Sequence, residues 1–547
     1  MQKRFKTIIF LGITFLIFPF FISAANFGEK VNFFVDPLYD LDKRPQIAAT
    51  LQRMTPKINF YTDDNWWNSL TFTEQQEVNL TLDQLGEEFA YKIYPILTSN
   101  FGSIPEPGID GDTKITVLIH PMKKDAGGYF NSGNEYDKLQ NPNSNQREML
   151  YFSSNFIFSS LTKSFLAHEF MHLINFEQKT SKGIEEDVWL NEARAEAAIT
   201  LLGYDSQYQD SNLEIRVKQF LSYPSDSLTD WQGASSDYGV LNLFTQYLID
   251  HYGMRILIDS LHSPEKGIES INYALSKAGF KEDFSQIFTD WTISVLVNNC
   301  NLGPKYCYLN QNLKNLRLVP SSNFLPLNSN STFSVNYLTK SWTANWYKIF
   351  GGGGTLTFEF DGSPNNNFKV PYLLCDYAGN CSVNFLALNE KQDGKIEIKD
   401  FNTKYNSLTI IPSLQNKNNT SEAIAYSWLA KVNIQNQSEP NQTEPNENSN
   451  KNPSTIAGIP SNFTFKKNLY SNISNLDVVY LKIILAAEGC VSGLTNTQWF
   501  GPKTLIGVKC FQNKNRAEIS ATAGYQISAT GFVGTGTRAK LNKLLGF

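Results

Sequence analysis

The sequence predicts a multidomain α+β protein, and three observations support this fold class. The chain has 547 residues, more than one hydrophobic core usually serves, so three or four compact units are expected. Helical periodicity dominates residues 161–297, whereas short alternating runs with Gly, Asn and Ser turns dominate residues 316–432. Residues 436–454 contain two Asn-Gln-(Ser/Thr)-Glu-Pro repeats and no apolar side chain that could form a core, which is typical of a linker.

Apolar periodicity places the individual elements along the chain. The predicted helices are 73–97, 161–178, 189–202, 237–252 and 284–297. The predicted strands are 31–35, 58–61, 114–120 and 148–152, and examples beyond residue 316 are 355–360, 369–374 and 407–411. Strands beyond residue 316 indicate a β-sandwich. Between 120 and 148 a stretch rich in Gly, Asn and Asp, including Gly127 and Gly128, is expected to be a loop.

The N-terminus has the three parts of an export signal. Lys3, Arg4 and Lys6 are basic, residues 8–22 are apolar, and residues 23–25 are small enough for cleavage. The alternative is an uncleaved membrane anchor, for which the apolar run is short of the roughly 20 residues a span needs. We therefore expect a protein that is secreted or held at the cell envelope or cell surface, with no transmembrane segment after signal removal.

Net charge and cysteine content indicate which partners and which disulfides to expect. A net charge of -5 and a pI near 5.7 give no support to nucleic acid as a partner. Six cysteines form three close pairs along the sequence, and a secreted protein can oxidise them to disulfides. Pairing by proximity is one of 15 connectivities, and six free buried thiols are the alternative. The expected pairs are Cys300 with Cys307, Cys375 with Cys381, and Cys490 with Cys510.

Two of the five histidines lie four residues apart, in His168-Glu169-Phe170-Met171-His172. Residues at this spacing share one face of a helix, so both imidazoles can bind one metal ion. Glu169 can then take a proton from water at that ion, as a general base. The alternative is a pair of core histidines beside a surface glutamate.

A catalytic Zn²⁺ site needs a third protein ligand and an open fourth position. Glu192, 20 residues after His172, is the candidate, since it lies on the next predicted helix. Glu196 shares a helical face with Glu192 and is expected to hold His168 through its other ring nitrogen, and Asn191 is a second supporting residue. For Glu196 the alternative is an exposed charge on an amphipathic helix.

At these motifs the chain resembles the gluzincin zinc peptidases, the clan of thermolysin. Their pattern of HExxH, 19 intervening residues and glutamate is present, with Ala193 where the narrower family usually has glycine. That narrower resemblance, over residues 61–297, is to the hyicolysin-type bacterial metallopeptidases. It is carried by residues 108–111, 127–130, 166–175, 238–239, 251–253 and 288–291.

The resemblance implies a zincin-like catalytic domain that hydrolyses peptide bonds through a zinc-activated water, with Glu169 as the base. A second donor to the developing oxyanion comes from a later helix in relatives. Tyr238 is the candidate here and His251 is the alternative. Tyr238 can equally be a buried packing residue with a bonded hydroxyl.

The C-terminal segment resembles the peptidoglycan-binding-domain-1 fold, a small three-helix module. Two copies of a glycine turn followed by a threonine near a helix start carry this resemblance, at 499–504 and 531–541. It implies that residues 456–547 bind peptidoglycan, although such modules also serve as spacers.

These inferences combine into one expected organisation and one leading function. The expected segments are a signal peptide at 1–25, an N-terminal part of the catalytic region or a pro-segment at 26–105, a zinc metallopeptidase core at 106–305, a β-sandwich at 306–434, a polar linker at 435–455 and a peptidoglycan-binding-like module at 456–547. The leading function is a secreted zinc endopeptidase acting on protein substrates, with envelope targeting by its last segment. The alternatives are a weakly active or inactive wall-binding surface protein on a peptidase scaffold, and a peptidase of peptidoglycan crosslinks.

Overall fold

The structure of the protein is a computed structural model. It describes residues 25–124, 126–326, 330–417, 422–433, 456, 458–460, 463–471, 473, 475–491, 497–523 and 529–547. The predicted signal peptide, apart from Ala25, and the predicted linker at 435–455 lie outside these residues. The chain divides into two compact units, Met1–Glu185 with Arg194–Asp205, and Glu186–Ala193 with Ser206–Phe547. Among the described residues, no helix combines the length and apolar character that a membrane span requires.

The first unit is built on a six-stranded mixed sheet. Its strands are β1 (Lys30–Phe34), β2 (Gln46–Met54), β3 (Ile58–Asp63), β4 (Ile115–His120), β5 (Gly128–Phe130) and β6 (Met149–Ser153). They lie in the order β1-β2-β3-β4-β6-β5, with β3, β4 and β6 parallel and the outer pairs antiparallel. The three parallel strands are buried along their whole length, as strands covered on both faces are.

The expected loop before residue 148 is only partly a loop, because it contains strand β5. Tyr129 of β5 pairs with Tyr151 of β6, and the two rings stack with centroids 4.1 Å apart. The glycines at 127 and 128 obscure this strand in the sequence pattern, since glycine is depleted in strands. Pairing with β6 and aromatic stacking outweigh that local preference, and β5 becomes the edge of the sheet.

Among the described residues, four α-helices lie wholly within the first unit. They are α1 (Asp64–Ser69), α2 (Phe72–Glu88), α3 (Tyr94–Phe101) and α4 (Thr162–Gln178). A π-helical segment, Phe89–Ile93, joins α2 to α3, so the helix predicted at 73–97 is one continuous run that ends at Gly102. Residues 166–171 of α4 are all buried, which places the first histidine of the motif and the residues around it inside the unit.

Helix α5 (Val188–Leu201) belongs to the second unit up to Ala193 and to the first unit from Arg194 onward. The helices that follow in the second unit, before its β-rich part, are α6 (Asn212–Ser222), α7 (Ser235–Tyr252), α8 (Arg255–Leu261), α9 (Gly267–Ala278) and α10 (Phe284–Val297). The predicted helices at 189–202, 237–252 and 284–297 are therefore confirmed to within two residues at each end. Trp291 of α10 is buried and donates its indole N–H to Tyr308 over 2.9 Å.

The β-rich part of the second unit contains twelve strands among the described residues. They are β7 (Ser321–Leu325), β8 (Ser331–Thr339), β9 (Thr343–Ala344), β10 (Tyr347–Gly351), β11 (Gly354–Gly362), β12 (Phe368–Lys369), β13 (Pro371–Asp376), β14 (Cys381–Phe385), β15 (Asp393–Phe401), β16 (Tyr405–Ile410), β17 (Ser413–Leu414) and β18 (Ile424–Asn433). The strand expected at 369–374 is divided at Val370, where the pairing partner changes from β17 to β14 and β16.

Nine of these strands form a nearly closed sheet. The main path runs β14-β13-β16-β15-β11-β18-β8, and β10 joins β16 to β7. Strands β15 and β16 pair only at Phe401 and Tyr405, so the sheet turns a corner there. Side chains from both sides of the corner, including Phe358, Trp428 and Ile410, share one core. The β-rich character that the alternating pattern predicts is confirmed, and the division into the two sheets of a sandwich stays a prediction.

The C-terminal segment has a hydrophobic core of its own. Its helices are α11 (Leu476–Ala487), α12 (Pro502–Lys514), α13 (Arg516–Ala523) and α14 (Thr535–Leu544). The described residues of this segment thus form four helices, and the expectation of a three-helix module was wrong in number. The extra helix arises because Asn515 leaves the helical conformation between α12 and α13.

All three cysteine pairs predicted by proximity are disulfides. The structure joins Cys300 to Cys307, Cys375 to Cys381, and Cys490 to Cys510. Among the described residues no cysteine is free. Each bridge closes a short loop, so proximity along the chain was a sufficient guide.

Candidate metal centre

Helix α4 carries the two histidines of the motif on one face. The ring centroids of His168 and His172 are 4.8 Å apart, as expected for residues one turn apart. His168 and Glu169 are buried and His172 is half-buried. The alternative of a surface glutamate is wrong, because Glu169 lies within the protein rather than on its exterior.

The third predicted ligand lies within reach of the other two. One ligand-type atom from each of His168, His172 and Glu192 can be chosen so that all three lie within 4.8 Å of one another. Two imidazole nitrogens and one carboxylate oxygen are a donor set typical of catalytic Zn²⁺. Among the described residues, this is the one group of three or more His, Cys, Asp or Glu side chains close enough together to hold a metal ion. The residues therefore fit a zinc ion.

Glu196 is fully buried, so the alternative of an exposed helical charge is wrong. Its Oε1 lies 3.5 Å from Nδ1 of His168. This arrangement directs Nδ1 at the carboxylate and turns Nε2 of the same ring the opposite way. Asn191 and Glu192 are adjacent on α5 and both half-buried, and the supporting role of Asn191 stays a prediction.

The side chain of Glu169 packs against the edge strand β5. A Cβ atom added to Gly128 would lie 3.1 Å from Cγ of Glu169 and 2.7 Å from the carbonyl oxygen of Tyr151. Only glycine leaves room there for Glu169 without a shift of the backbone. Sequence reasoning did not connect Gly128 with Glu169. The glycine pair itself was a usable signal, because glycine within a strand often marks close approach of another group.

Tyr238 and His251, the two candidates for the oxyanion donor, both lie on α7 and have different surroundings. Tyr238 is half-buried; the guanidinium of Arg216 lies 4.4 Å from its ring centroid and Trp231 packs edge-on at 4.7 Å. Nε2 of His251 lies 2.8 Å from the carbonyl oxygen of Cys307, so this nitrogen donates its proton to the backbone. The carbonyl thus occupies one of the two donors that His251 can offer.

A group of acidic side chains in the same unit as α4 is largely shielded from solvent. Burial, followed by the nearby charges of Glu148, Glu177 and Asp110, raises the pKa of Glu135 to about 10. Burial also raises the pKa of Glu148 and Glu177. Glu135 is therefore neutral at physiological pH, and this cluster carries less negative charge than its composition indicates.

Comparison with known proteins relates the chain to a metalloprotease. No protein-family model matches it. It is 30% identical over 264 residues to the neutral metalloprotease ShpI of Staphylococcus hyicus. That stretch is 43% of this chain and 55% of the relative, so the chain spans about half the length of the curated protein it matches. The similarity supports a metallopeptidase relationship, in agreement with the His-His-Glu group.

Solved structures give no further information on the fold. The pre-peptidase C-terminal domain of a Bacillus anthracis collagenase is 8% identical, with a TM-score of 0.15, over 20% of this chain and 96% of that one. The Yersinia pseudotuberculosis-derived mitogen is 16% identical, with a TM-score of 0.14, over 21% of this chain and 92% of that one. Scores this low establish no shared architecture.

Proposed function

We propose that the protein is a zinc-dependent endopeptidase of the gluzincin type, with His168, His172 and Glu192 as the metal ligands. The observation that carries this proposal is the approach of their ligand atoms to within 4.8 Å of one another. The similarity to a metalloprotease supports it independently. A zinc ion bound here would polarise a peptide carbonyl and lower the pKa of coordinated water to about 7.

Within this proposal Glu169 is the general base. It takes a proton from the attacking water at one carboxylate oxygen and delivers it to the leaving amine. Contact with Gly128 limits where its side chain can lie. Glu196 holds His168 by accepting the Nδ1 proton, which keeps Nε2 unprotonated for the metal.

The edge strand β5 is the proposed binding site for the substrate backbone. It lies at the end of the sheet and pairs with β6 on one side only, and Gly128 places it beside Glu169. An extended peptide can add to such an edge through main-chain hydrogen bonds. This supports polypeptide substrates bound in an extended conformation.

We assign donation to the developing oxyanion to Tyr238 in preference to His251. The observation that favours Tyr238 is the bond between Nε2 of His251 and the Cys307 carbonyl, which already uses one ring donor. A phenol hydroxyl can donate without changing its charge over the neutral pH range. Tyr238 is therefore the first of the two residues to substitute.

We further propose that the protein is secreted and that residues 456–547 target it to the cell envelope by binding peptidoglycan. The described part of this segment has its own hydrophobic core, as a binding module requires. The N-terminal pattern of basic, apolar and small residues supports export. Two alternatives remain distinct from this one, an inactive wall-binding scaffold and a peptidase of peptidoglycan crosslinks.

Zinc content and casein cleavage of the purified full-length protein test the proposal. We expect about one zinc per chain, loss of zinc in His168→Ala, and retained zinc with a loss of activity of roughly 10²–10⁴-fold in Glu169→Gln. Glu77→Gln, an exposed glutamate on α2, is the matched control and should behave as the wild type.

Each alternative predicts a different result in the same assay. Unchanged zinc in His168→Ala contradicts the ligand assignment. Zinc-loaded protein that cleaves peptidoglycan crosslinks but not casein supports the crosslink peptidase. Zinc-loaded protein that cleaves neither supports the inactive scaffold.

A further inference from the structure

The C-terminal segment differs in charge from the rest of the chain. Residues 456–547 contain ten lysines and arginines and three aspartates and glutamates, a formal net charge of +7, whereas the whole chain carries -5. Three of these cations form ion pairs, Lys514 with Glu488, and Lys540 and Lys543 with Glu518. A basic module on an acidic protein indicates an anionic partner, since the field of a domain steers oppositely charged polymers.

Two turns of this segment present an exposed aromatic ring in the same way. In Trp499-Phe500-Gly501 and Phe532-Val533-Gly534 the middle side chain is fully buried and the glycine begins a helix. The aromatic ring folds over that glycine, so that a Cβ on Gly501 would collide with the Trp499 ring. A Cβ on Gly534 would lie 3.0 Å from the Phe532 ring. The rings are held in place and nevertheless exposed.

Both turns contact the same short stretch of chain, one at Leu469 and the other at Ile473. Leu469 forms an antiparallel bridge with Val533, and Ile473 accepts a hydrogen bond of 2.8 Å from the N–H of Phe500. Tyr470 therefore lies opposite Phe532, and their rings stack with centroids 6.2 Å apart at an angle of 22°. Three residues of chain span at most about 11 Å, so the two turns are near neighbours.

Tyr470, Trp499 and Phe532 are 50%, 50% and 43% exposed, large fractions for ordered aromatic rings. Exposed lysines accompany them, Lys466 and Lys467 before Tyr470 and Lys503 after Trp499. Among the described residues, none of these three lysines forms an ion pair. Flat apolar rings with flanking cations suit a ligand that combines the apolar faces of sugar rings with negative charge.

We propose that Tyr470, Trp499 and Phe532, with Lys467 and Lys503, form a binding surface for the glycan strands and stem-peptide carboxylates of peptidoglycan. This inference rests on the proposed envelope targeting and names the surface responsible for it. The rings pack against the sugar faces and the lysines pair with the carboxylates. Binding should consequently weaken as salt rises, but not vanish, because the aromatic contacts are not screened.

Sedimentation of the full-length protein with purified peptidoglycan sacculi, stripped of attached anionic polymers, tests the surface. All proteins carry Glu169→Gln so that the wall is not cleaved during the assay. We expect Tyr470→Ala with Phe532→Ala to weaken binding by about tenfold or more, since exposed aromatic anchors dominate such contacts. Phe547→Ala is the matched control, an exposed aromatic at the far end of α14 from Phe532.

A second pair of variants tests the charge. Lys467→Gln with Lys503→Gln should weaken binding at low salt, whereas Lys391→Gln with Lys399→Gln, exposed lysines of the β-rich part of the chain, should not. Equal effects of the two pairs would show nonspecific attraction and overturn the surface. Melting temperatures of all variants check that the fold is retained.

The remaining outcomes separate this inference from the proposal on which it rests. If Tyr470→Ala with Phe532→Ala binds sacculi as strongly as the protein without these two changes, the proposed binding surface is wrong and envelope targeting is unaffected. Failure of the wild type to bind sacculi overturns both, without affecting the zinc assignment. Binding only to walls that retain their attached anionic polymers means that those polymers are the ligand, which also contradicts the proposal.

Discussion

Two carboxyl groups of the first unit, Glu169 and Glu135, show how surroundings set the task of a residue. Glu169 lies next to the proposed metal ligand His168 and against Gly128, and we propose that it acts there as the general base. Glu135 is surrounded by other acids, and its carboxyl oxygens are shielded from solvent. The same side chain is thus a candidate catalyst in one place and, when ionised, a destabilising group in the other.

The raised pKa of Glu135 makes stability depend on pH. The folded state keeps its proton up to a pKa of about 10, whereas the unfolded chain releases it near 4.5. Stability is thus lost as pH rises between these values, by on the order of 1 kcal/mol per pH unit for this group. Glu135→Gln should melt at a higher temperature than wild type at pH 8 and at a similar one near pH 4.

Calorimetry of both proteins from pH 4 to pH 9 measures this difference. Glu87→Gln, an exposed glutamate on α2, is the control and should follow the wild-type curve. A constant offset between Glu135→Gln and wild type at all pH values would contradict the raised pKa.

Tyr238 is a residue-scale prediction of a different kind. A donor to the oxyanion acts in the transition state, so Tyr238→Phe should lower kcat by roughly 10²–10³-fold with little change in KM. Steady-state kinetics on a peptide substrate gives the two constants. If Tyr238→Phe is silent and His251→Ala loses activity without melting earlier, the donor role belongs to His251.

At the scale of elements, the edge strand β5 and helix α4 are joined through Gly128. Gly128→Ala would place a methyl group against the Tyr151 carbonyl and Glu169, which displaces either the strand or the base. We expect kcat/KM to fall by about tenfold or more, since small displacements of catalytic groups are costly. Zinc content should not change, because the atoms that the methyl group meets first belong to Tyr151 and Glu169, neither of which is a proposed ligand.

Gly127→Ala provides the control for this experiment. Its added methyl group would meet the ring of Phe165, which can move aside. Equal losses of activity in Gly127→Ala and Gly128→Ala would mean that any added methyl group at the start of β5 impairs catalysis. The contact of Gly128 with Glu169 would then have no special role.

The region at 26–105 forms part of the sheet of the first unit. Strands β1, β2 and β3 come from this region, and β3 pairs in parallel with β4. Removal of the region would take three of the six strands and expose the apolar side chains of β4. On this ground we propose that residues 26–105 are an N-terminal part of the catalytic region; the alternative of a removable pro-segment stays a prediction.

At the scale of the whole molecule, we predict that the C-terminal segment can be removed without loss of catalysis. Truncation after residue 434 should leave a zinc-loaded peptidase that is active on casein and poorly retained on cell walls. The truncation removes a contact in which Phe324 of β7 and Tyr480 of α11 pack with ring centroids 6.3 Å apart. A small decrease in melting temperature is therefore expected.

The two parts of this prediction are measured separately. Casein hydrolysis that disappears on truncation would show that the catalytic part depends on the C-terminal segment. Retention on sacculi that survives truncation would place the wall-binding surface elsewhere in the chain.

The sequence by itself determined the local features of this protein. Helix geometry brings His168 and His172 to one face whatever surrounds them, because residues four apart are always neighbours on a helix. Short loops likewise made the three disulfides predictable from proximity, and short apolar or alternating runs located the predicted β-strands. These properties depend only on covalent geometry and on residues close along the chain.

Only the tertiary structure decided which distant residues meet. The burial of Glu196 beside His168, the approach of Glu192, and the contact of Gly128 with Glu169 all join separate elements. The raised pKa of Glu135 and the alignment of Tyr470 with Phe532 have the same origin. Packing of apolar surface sets these distances, and it sums over many weak contacts that no short stretch of sequence contains.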